Sequence, residues 1–259
     1  MKDKKALIAM PSGSGLIPDP VAQQLSVMIK PIECELSIVK RMPTMQCRNQ
    51  FVMYALKNNL DYVLFIDDDN PPPTYGMYNL LKADKDVVAG IIPARKFPHN
   101  PCIYENHEVD GKFQAFRSIT DIPLDCETFE VDGVGCGFVL IKTEVLKTII
   151  EKENGISLEG FDYENYKHLK QPFDYITVDN EQVSEDLSFC MKAKKYGFKV
   201  WAHNKVRPGH ITDPCIIQID HNNDYQLLNI PSDMLEGMVE RRIKQLIKEG
   251  KIEQTSTEH

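Results

Sequence analysis

YVLFIDDDNPPP, residues 62 to 73, decides the fold. Five apolar or aromatic residues run unbroken into three aspartates, then Asn70 and three prolines. A continuous apolar run of this length suits a strand covered on both faces, as strands of parallel sheets are. The charge begins only where the run stops, so the acids project beyond the sheet. In open parallel sheets ligands bind outside the carboxyl ends of the strands, which is where Asp67, Asp68 and Asp69 fall.

Upstream, KALIAMP (5–11) reads as a first buried strand and SGSG (12–15) as a flexible loop. DPVAQQLSVMIK (19–30) places Val21, Leu25, Met28 and Ile29 at helical spacing, with Asp19 as N-cap and Pro20 in the first turn. ECELSIV (33–39) alternates like a second strand, and TMQCRNQFVMYALKNN (44–59) is a second helix capped by Thr44. Downstream come a helix over 74–84 and a strand over 86–92 that ends in the loop PARKFPHNP. Residues 102–130 alternate weakly, as short antiparallel strands do. GVGCGFVLIKTEVLKTIIEK (133–152) is a glycine-rich turn, a strand and a helix. Residues 153–182 show no period and are expected to form a long active-site loop. SEDLSFCMKAKKYG (184–197) is a capped helix closed by glycine, FKVWAH (198–203) a strand, and RPGHIT (207–212) a loop. The β-α-β alternation predicts an α/β fold with a mostly parallel sheet flanked by helices.

The remainder, 213–259, is expected as an extension of a catalytic domain spanning 1–212. It contains the amphipathic, basic helix PSDMLEGMVERRIKQLIKEGK (231–251) and a frayed tail. That helix suits packing on the domain, a homo-oligomer contact, or a flat peripheral contact with anionic lipid.

Bulk composition narrows the class. The chain has 259 residues, 42% hydrophobic, and a net charge of −8, which disfavours wholesale nucleic-acid binding through a basic surface. Seven cysteines with no C-x-x-C read as free thiols in a reducing compartment. The start has too short an apolar run for a signal peptide, and no window approaches a membrane span. A cytoplasmic protein is expected.

Four segments bear on chemistry. Two carboxylates at i and i+2 on a turning segment suit a hard divalent cation such as Mg²⁺ or Mn²⁺, although Asp and Asn before Pro also make ordinary turns. Glu185 and Asp186 open a helix, where acids complement the dipole without any further role. His210 sits in a Pro-Gly loop; a neutral imidazole there suits either simple exposure or a carboxylate-held cation. Gly133, Gly135 and Gly137 permit close backbone approach, but they precede a strand and so form no dinucleotide fingerprint.

Taken in order, these segments resemble a GT-A-fold glycosyltransferase of the family-2-like branch and its bacterial and phage relatives, over residues 5–212. CRNQFVMYALKNNLDYVLFIDDDNPPP and SEDLSFCMKAKKYGFKVWAH carry most of the resemblance. It implies a Rossmann-like catalytic domain that moves a sugar from a nucleotide-sugar donor to a hydroxyl acceptor, with Mn²⁺ or Mg²⁺. Asp67 and Asp69 match the ends of the DXD motif. They and His210 are implied as metal ligands, with Arg48, Asp67 and Asp68 at the donor. Gly135, Cys136 and Gly137 match the acceptor wall, and Asp186 with Glu185 the acidic pair that supplies the base in inverting members. The second strand ends in the basic VKRMP, where relatives often carry an acid that reads uracil, so the donor base stays open. The acceptor is a glycan, lipid, protein or modified base. A retaining enzyme, a nucleotidyltransferase and a non-catalytic glycan-binding protein are the rival readings.

Overall fold

The computed structural model describes residues 3–212, 215–219, 223 and 225–228. The first half alternates as expected: β1 (Lys5–Ser12), α1 (Asp19–Val27), β2 (Glu33–Lys40), α2 (Thr44–Lys57), β3 (Tyr62–Ile66), α3 (Gly76–Ala83) and β4 (Val87–Gly90). Then follow β5 (Ile103–Val109), β6 (Lys112–Ser118), β7 (Thr128–Val131), β8 (Gly133–Val134), β9 (Phe138–Lys142) and α4 (Thr143–Asn154). The described chain closes with β10 (Ile176–Val178), β11 (Glu181–Val183), α5 (Glu185–Lys195), β12 (Val200–His203), β13 (His210–Thr212), β14 (Cys215–Ile219) and β15 (Tyr225–Leu228).

The central sheet has seven strands in the order β2-β1-β3-β9-β4-β12-β7. Five run one way; β9 and β7 run against them. The apolar strands have two buried faces, which is why they read as continuous runs. Leu7, Ala9, Val63, Phe65, Val139 and Ile141 face α2, α4 and α5. Ala6, Ile8, Met10, Leu64, Ile66 and Leu140 face α1 and α3. The fold is thus the mostly parallel, helix-flanked α/β sheet that the sequence predicts.

Several local expectations shift. The residue before α1 is Pro18 and that before α2 is Pro43, so Asp19 and Thr44 lie inside their helices and neither helix has a side-chain cap. Ser184 does precede α5, again without a side-chain capping bond. The expected 153–182 loop holds a short 3-10 helix, Tyr163–His168, and the hairpin β10–β11. Asp179 and Asn180 both adopt positive φ at its turn, a conformation that Asp and Asn tolerate and hairpins favour. Part of the expected RPGHIT loop is β13. It pairs with β14, which buries Ile219 in the core. The helix expected over 231–251 and the tail lie outside the described residues. Among the described residues no helix is long and apolar enough to cross a membrane, and the six cysteines with described side chains are free thiols.

Candidate functional site

The site forms where the carboxyl ends of β3 and β4 meet the amino end of the antiparallel β9. Phe138 pairs with Ile66, so the glycine turn ahead of β9 lies against the aspartates after β3. The Asp67 N–H donates to the Gly137 carbonyl at 3.0 Å. A Cβ on Gly137 would collide with Asn70 Oδ1 and Ile92 Cδ1. Only glycine permits this approach.

Asn70 is buried and ties two loops together. Its N–H donates to the Asp67 carbonyl at 3.0 Å, closing a turn around the acids. Its Nδ2 donates to the Gly209 carbonyl at 2.9 Å. The Gly209 N–H donates to the Pro71 carbonyl and the Ile211 N–H to the Asp69 carbonyl. These bonds bring His210 to Asp69, with Nε2 3.4 Å from Oδ2. The His210 Nδ1 lies 2.7 Å from the Pro93 carbonyl. A carbonyl only accepts, so Nδ1 carries the proton and Nε2 presents its lone pair. Burial lowers the His210 pKa below its ordinary 6.5, Arg95 adds to the fall, and the Pro93 carbonyl opposes it. The ring is therefore neutral at pH 7.

Arg48 gathers the remaining acids. It projects from the second turn of α2 and is almost fully buried. Its Nη2 donates to both oxygens of Asp67 at 3.0 and 3.2 Å. Its Nη1 donates to Glu185 Oε1 at 3.0 Å and lies 2.8 Å from Asp186 Oδ1. Burial works against the Arg48 charge, but Asp186, Asp67 and Glu185 outweigh it and the pKa rises. Burial raises the Asp67 carboxyl above its ordinary 3.8; Arg48 opposes, and Asp186 and Asp68 add to the rise. The arginine expected to face the donor is thus a hub that joins the acids after β3 to those that open α5.

Asp186 connects this hub to the glycine turn. Its Oδ2 accepts from the Cys136 N–H at 2.9 Å. Its Oδ1 has no aligned hydrogen-bond donor, although Arg48 is near. The Gly135–Gly137 turn therefore lies against Asp186. The Tyr175 hydroxyl lies near Glu185, whose carboxylate raises its pKa, on a loop that is stitched to α2 and α5.

The three residues implied as metal ligands do not converge. Asp67 is engaged by Arg48, and among the described residues no group of three His, Cys, Asp or Glu side chains could hold a metal. Asp69 and His210 still fit such an ion. A carboxylate oxygen and an imidazole lone pair face each other, a donor pair suited to Mn²⁺ or Mg²⁺ that takes its other ligands from substrate and water.

Sequence reasoning missed three residues here. Asn70 sits in an Asp-Asn-Pro run that reads as turn chemistry, and that turn proves to be the clasp. Asn49 and Arg95 carry no local signal, because their partners lie far away in sequence.

No protein-family model and no curated protein matches the chain. Among solved structures it is similar to A197 from STIV, at 18% identity and a TM-score of 0.52, over 88% of this chain and 95% of that one. A weaker likeness is to 4-diphosphocytidyl-2C-methyl-D-erythritol synthase, at 9% identity and a TM-score of 0.33, over 56% of this chain and 78% of that one. Only the first bears on the fold, and it spans most of both chains: the molecule has a mixed α/β fold with a large, mostly parallel, helix-flanked sheet, consistent with a Rossmann-like fold of the GT-A type.

Proposed function

We propose that this protein is a metal-dependent glycosyltransferase. It moves a sugar from a nucleotide-sugar donor to a hydroxyl acceptor, with inversion and with Asp186 as general base. One observation carries this reading. Asp67–Asp69, Glu185–Asp186 and His210 come from three distant segments yet meet at one edge of the sheet, beside a turn that only glycine permits.

The roles follow from what each side chain touches. Asp69 and His210 would hold the cation, Mn²⁺ or Mg²⁺, which supplies Lewis-acid stabilisation of the charge on the departing diphosphate. Asp67 and Asp68 stand beside them at the donor end. Arg48 fixes Asp67 relative to Asp186, so donor and base keep their spacing. Asp186 takes the proton of the acceptor hydroxyl, whose pKa is too high for unaided attack. The Cys136 N–H orients that carboxylate, and Gly135 to Gly137 would form the wall beside which the acceptor binds. Glu185, held by Arg48, acts as a positioning group.

The test is nucleotide release and sugar transfer across a panel of nucleotide sugars, with Mn²⁺ and with EDTA. The wild type should release one nucleotide only with metal. Asp69→Ala should abolish this, and Asp186→Asn should slow transfer by about 10²–10⁴-fold. Transfer that survives in Asp186→Asn would favour a retaining mechanism. A wild type that turns over no donor would overturn the reading.

A further inference from the structure

The loop between β4 and β5 sets a second guanidinium beside the acids. It is closed on itself: Pro93 bridges to Pro101, the Ala94 N–H donates to the Asn100 carbonyl at 2.9 Å, and the His99 N–H donates to the Lys96 carbonyl at 2.8 Å. From this compact frame Arg95 reaches the site with its side chain 59% exposed. Its Nη2 forms an ion pair with Asp69 Oδ2. Its Nε–H donates to His210 Nε2 at 2.9 Å. Arg95 therefore engages the same two atoms that would bind a divalent cation.

A guanidinium and a metal ion cannot share those two atoms. Both need the one lone pair of His210 Nε2, and Arg95 also occupies an oxygen of Asp69. The charge balance then says where Arg95 goes. Four carboxylates, Asp67, Asp69, Glu185 and Asp186, contact two guanidiniums, Arg48 and Arg95. A divalent cation would offset that excess, but a diphosphate brings fresh negative charge. Arg48 is buried and already bound to three carboxylates. Arg95 is exposed, and its loop keeps it within a side chain's length of the cation position. Its planar fork matches phosphate oxygens better than a point charge does. Asp69 is only 16% exposed, but the Arg95 side chain is solvated, and an ion pair with a solvated partner exchanges more readily than a fully buried one.

We propose that Arg95 is a phosphate-binding residue released by the metal. Without a cation it holds Asp69 and His210; when the cation takes their atoms, Arg95 turns to the diphosphate of the nucleotide. This deepens the metal-dependent reading above and rests on it. It also makes cation and nucleotide binding mutually supportive, since each frees or uses what the other displaces.

Two binding measurements test it without any turnover. In the first, Mn²⁺ alone is titrated into wild type, Arg95→Gln and Arg95→Lys, with free Mn²⁺ read by electron paramagnetic resonance. Arg95→Gln should bind Mn²⁺ roughly fivefold more tightly, since no guanidinium competes. In the second, a panel of nucleoside diphosphates is titrated calorimetrically into the Mn²⁺-loaded proteins. The preferred nucleotide should bind Arg95→Gln roughly tenfold more weakly or worse, with Arg95→Lys between the two. Unchanged or weaker Mn²⁺ binding by Arg95→Gln would overturn the competition, as would no Mn²⁺ binding by any of the three. Unchanged nucleotide affinity in Mn²⁺-loaded Arg95→Gln would overturn the phosphate role. Failure of every nucleotide to bind the Mn²⁺-loaded wild type would overturn both the phosphate role and the donor reading, and tighter Mn²⁺ binding by Arg95→Gln would separate that result from failure of the competition.

Discussion

Arg48 shows how one buried side chain can organise a site. Its guanidinium contacts Asp67, Glu185 and Asp186, which lie in two segments far apart in sequence. An isolated buried charge is prohibitive, and three carboxylates around one arginine are tolerable only while that arginine remains. Arg48→Met keeps the apolar stem and removes the charge. It should cost about 3–5 kcal/mol at pH 7.5, because it leaves the buried Glu185 and the partly buried Asp67 and Asp186 without their counter-charge. The pH dependence has a definite sign. Burial and neighbouring acids already raise Asp67 in the folded state, and without Arg48 they would raise it further. The folded variant then binds more protons than its unfolded chain, so the loss should shrink as pH falls from 7.5 towards 5. Urea unfolding at several pH values measures this, and a pH-independent loss would refute it. The acids themselves were legible, because each follows a strand or opens a helix. What Arg48 does was not, because i-to-i+4 patterns carry no sign of a partner more than a hundred residues away. Arg95 was hidden for the same reason.

At the scale of elements, regular periodicity was the legible part. The strands covered on both faces read as apolar runs, and their helices as stripes. The segment 153–182 reads as a loop without period because its order comes from side chains on other elements. Asn49 of α2 donates its Nδ2 to the Phe173 carbonyl at 2.6 Å and accepts the Phe173 N–H at 3.1 Å. The Phe173 ring stacks on Phe189 of α5 with centroids 4.8 Å apart. Asp174 accepts from the Ser188 hydroxyl and pairs with Lys192. A sequence with no period of its own is thereby held against two helices, and Tyr175 is delivered to Glu185. Asn49→Ala would leave both polar backbone groups of Phe173 buried without partners. The expected loss is about 1–3 kcal/mol. Hydrogen exchange at the Phe173 amide should accelerate far more than at Val63 to Phe65 of β3. Equal acceleration at both places would mean that Asn49 supports the whole domain instead of this loop.

At the scale of the molecule, one sheet serves two cores. Alternate residues of a single strand enter opposite layers: Phe65 packs with the α2 and α4 layer, Leu64 and Ile66 with the α1 and α3 layer. A strand cannot lose its register on one face and keep it on the other, since a shift by one residue exchanges the faces. The two layers should therefore unfold together. The chain has one tryptophan, Trp201 of β12, which packs against the α1 and α3 layer. Phe51 lies in the opposite layer, buried on α2 with its ring edge-on to Phe65. Phe51→Ala removes a buried ring and should cost about 3–5 kcal/mol. If the sheet couples the layers, Trp201 fluorescence and far-ultraviolet circular dichroism should report the same lowered urea midpoint, although Phe51 and Trp201 share no layer. A fluorescence midpoint that stays at the wild-type value while the dichroism shifts would show two independent cores. The coupling bears on the site directly. Asp67 directly follows the strand that both layers grip, and Gly137 directly precedes the strand beside it. Their spacing is therefore set by the packing of the entire sheet, and the loops bring Asn70, His210 and Arg95 to a position that is already fixed.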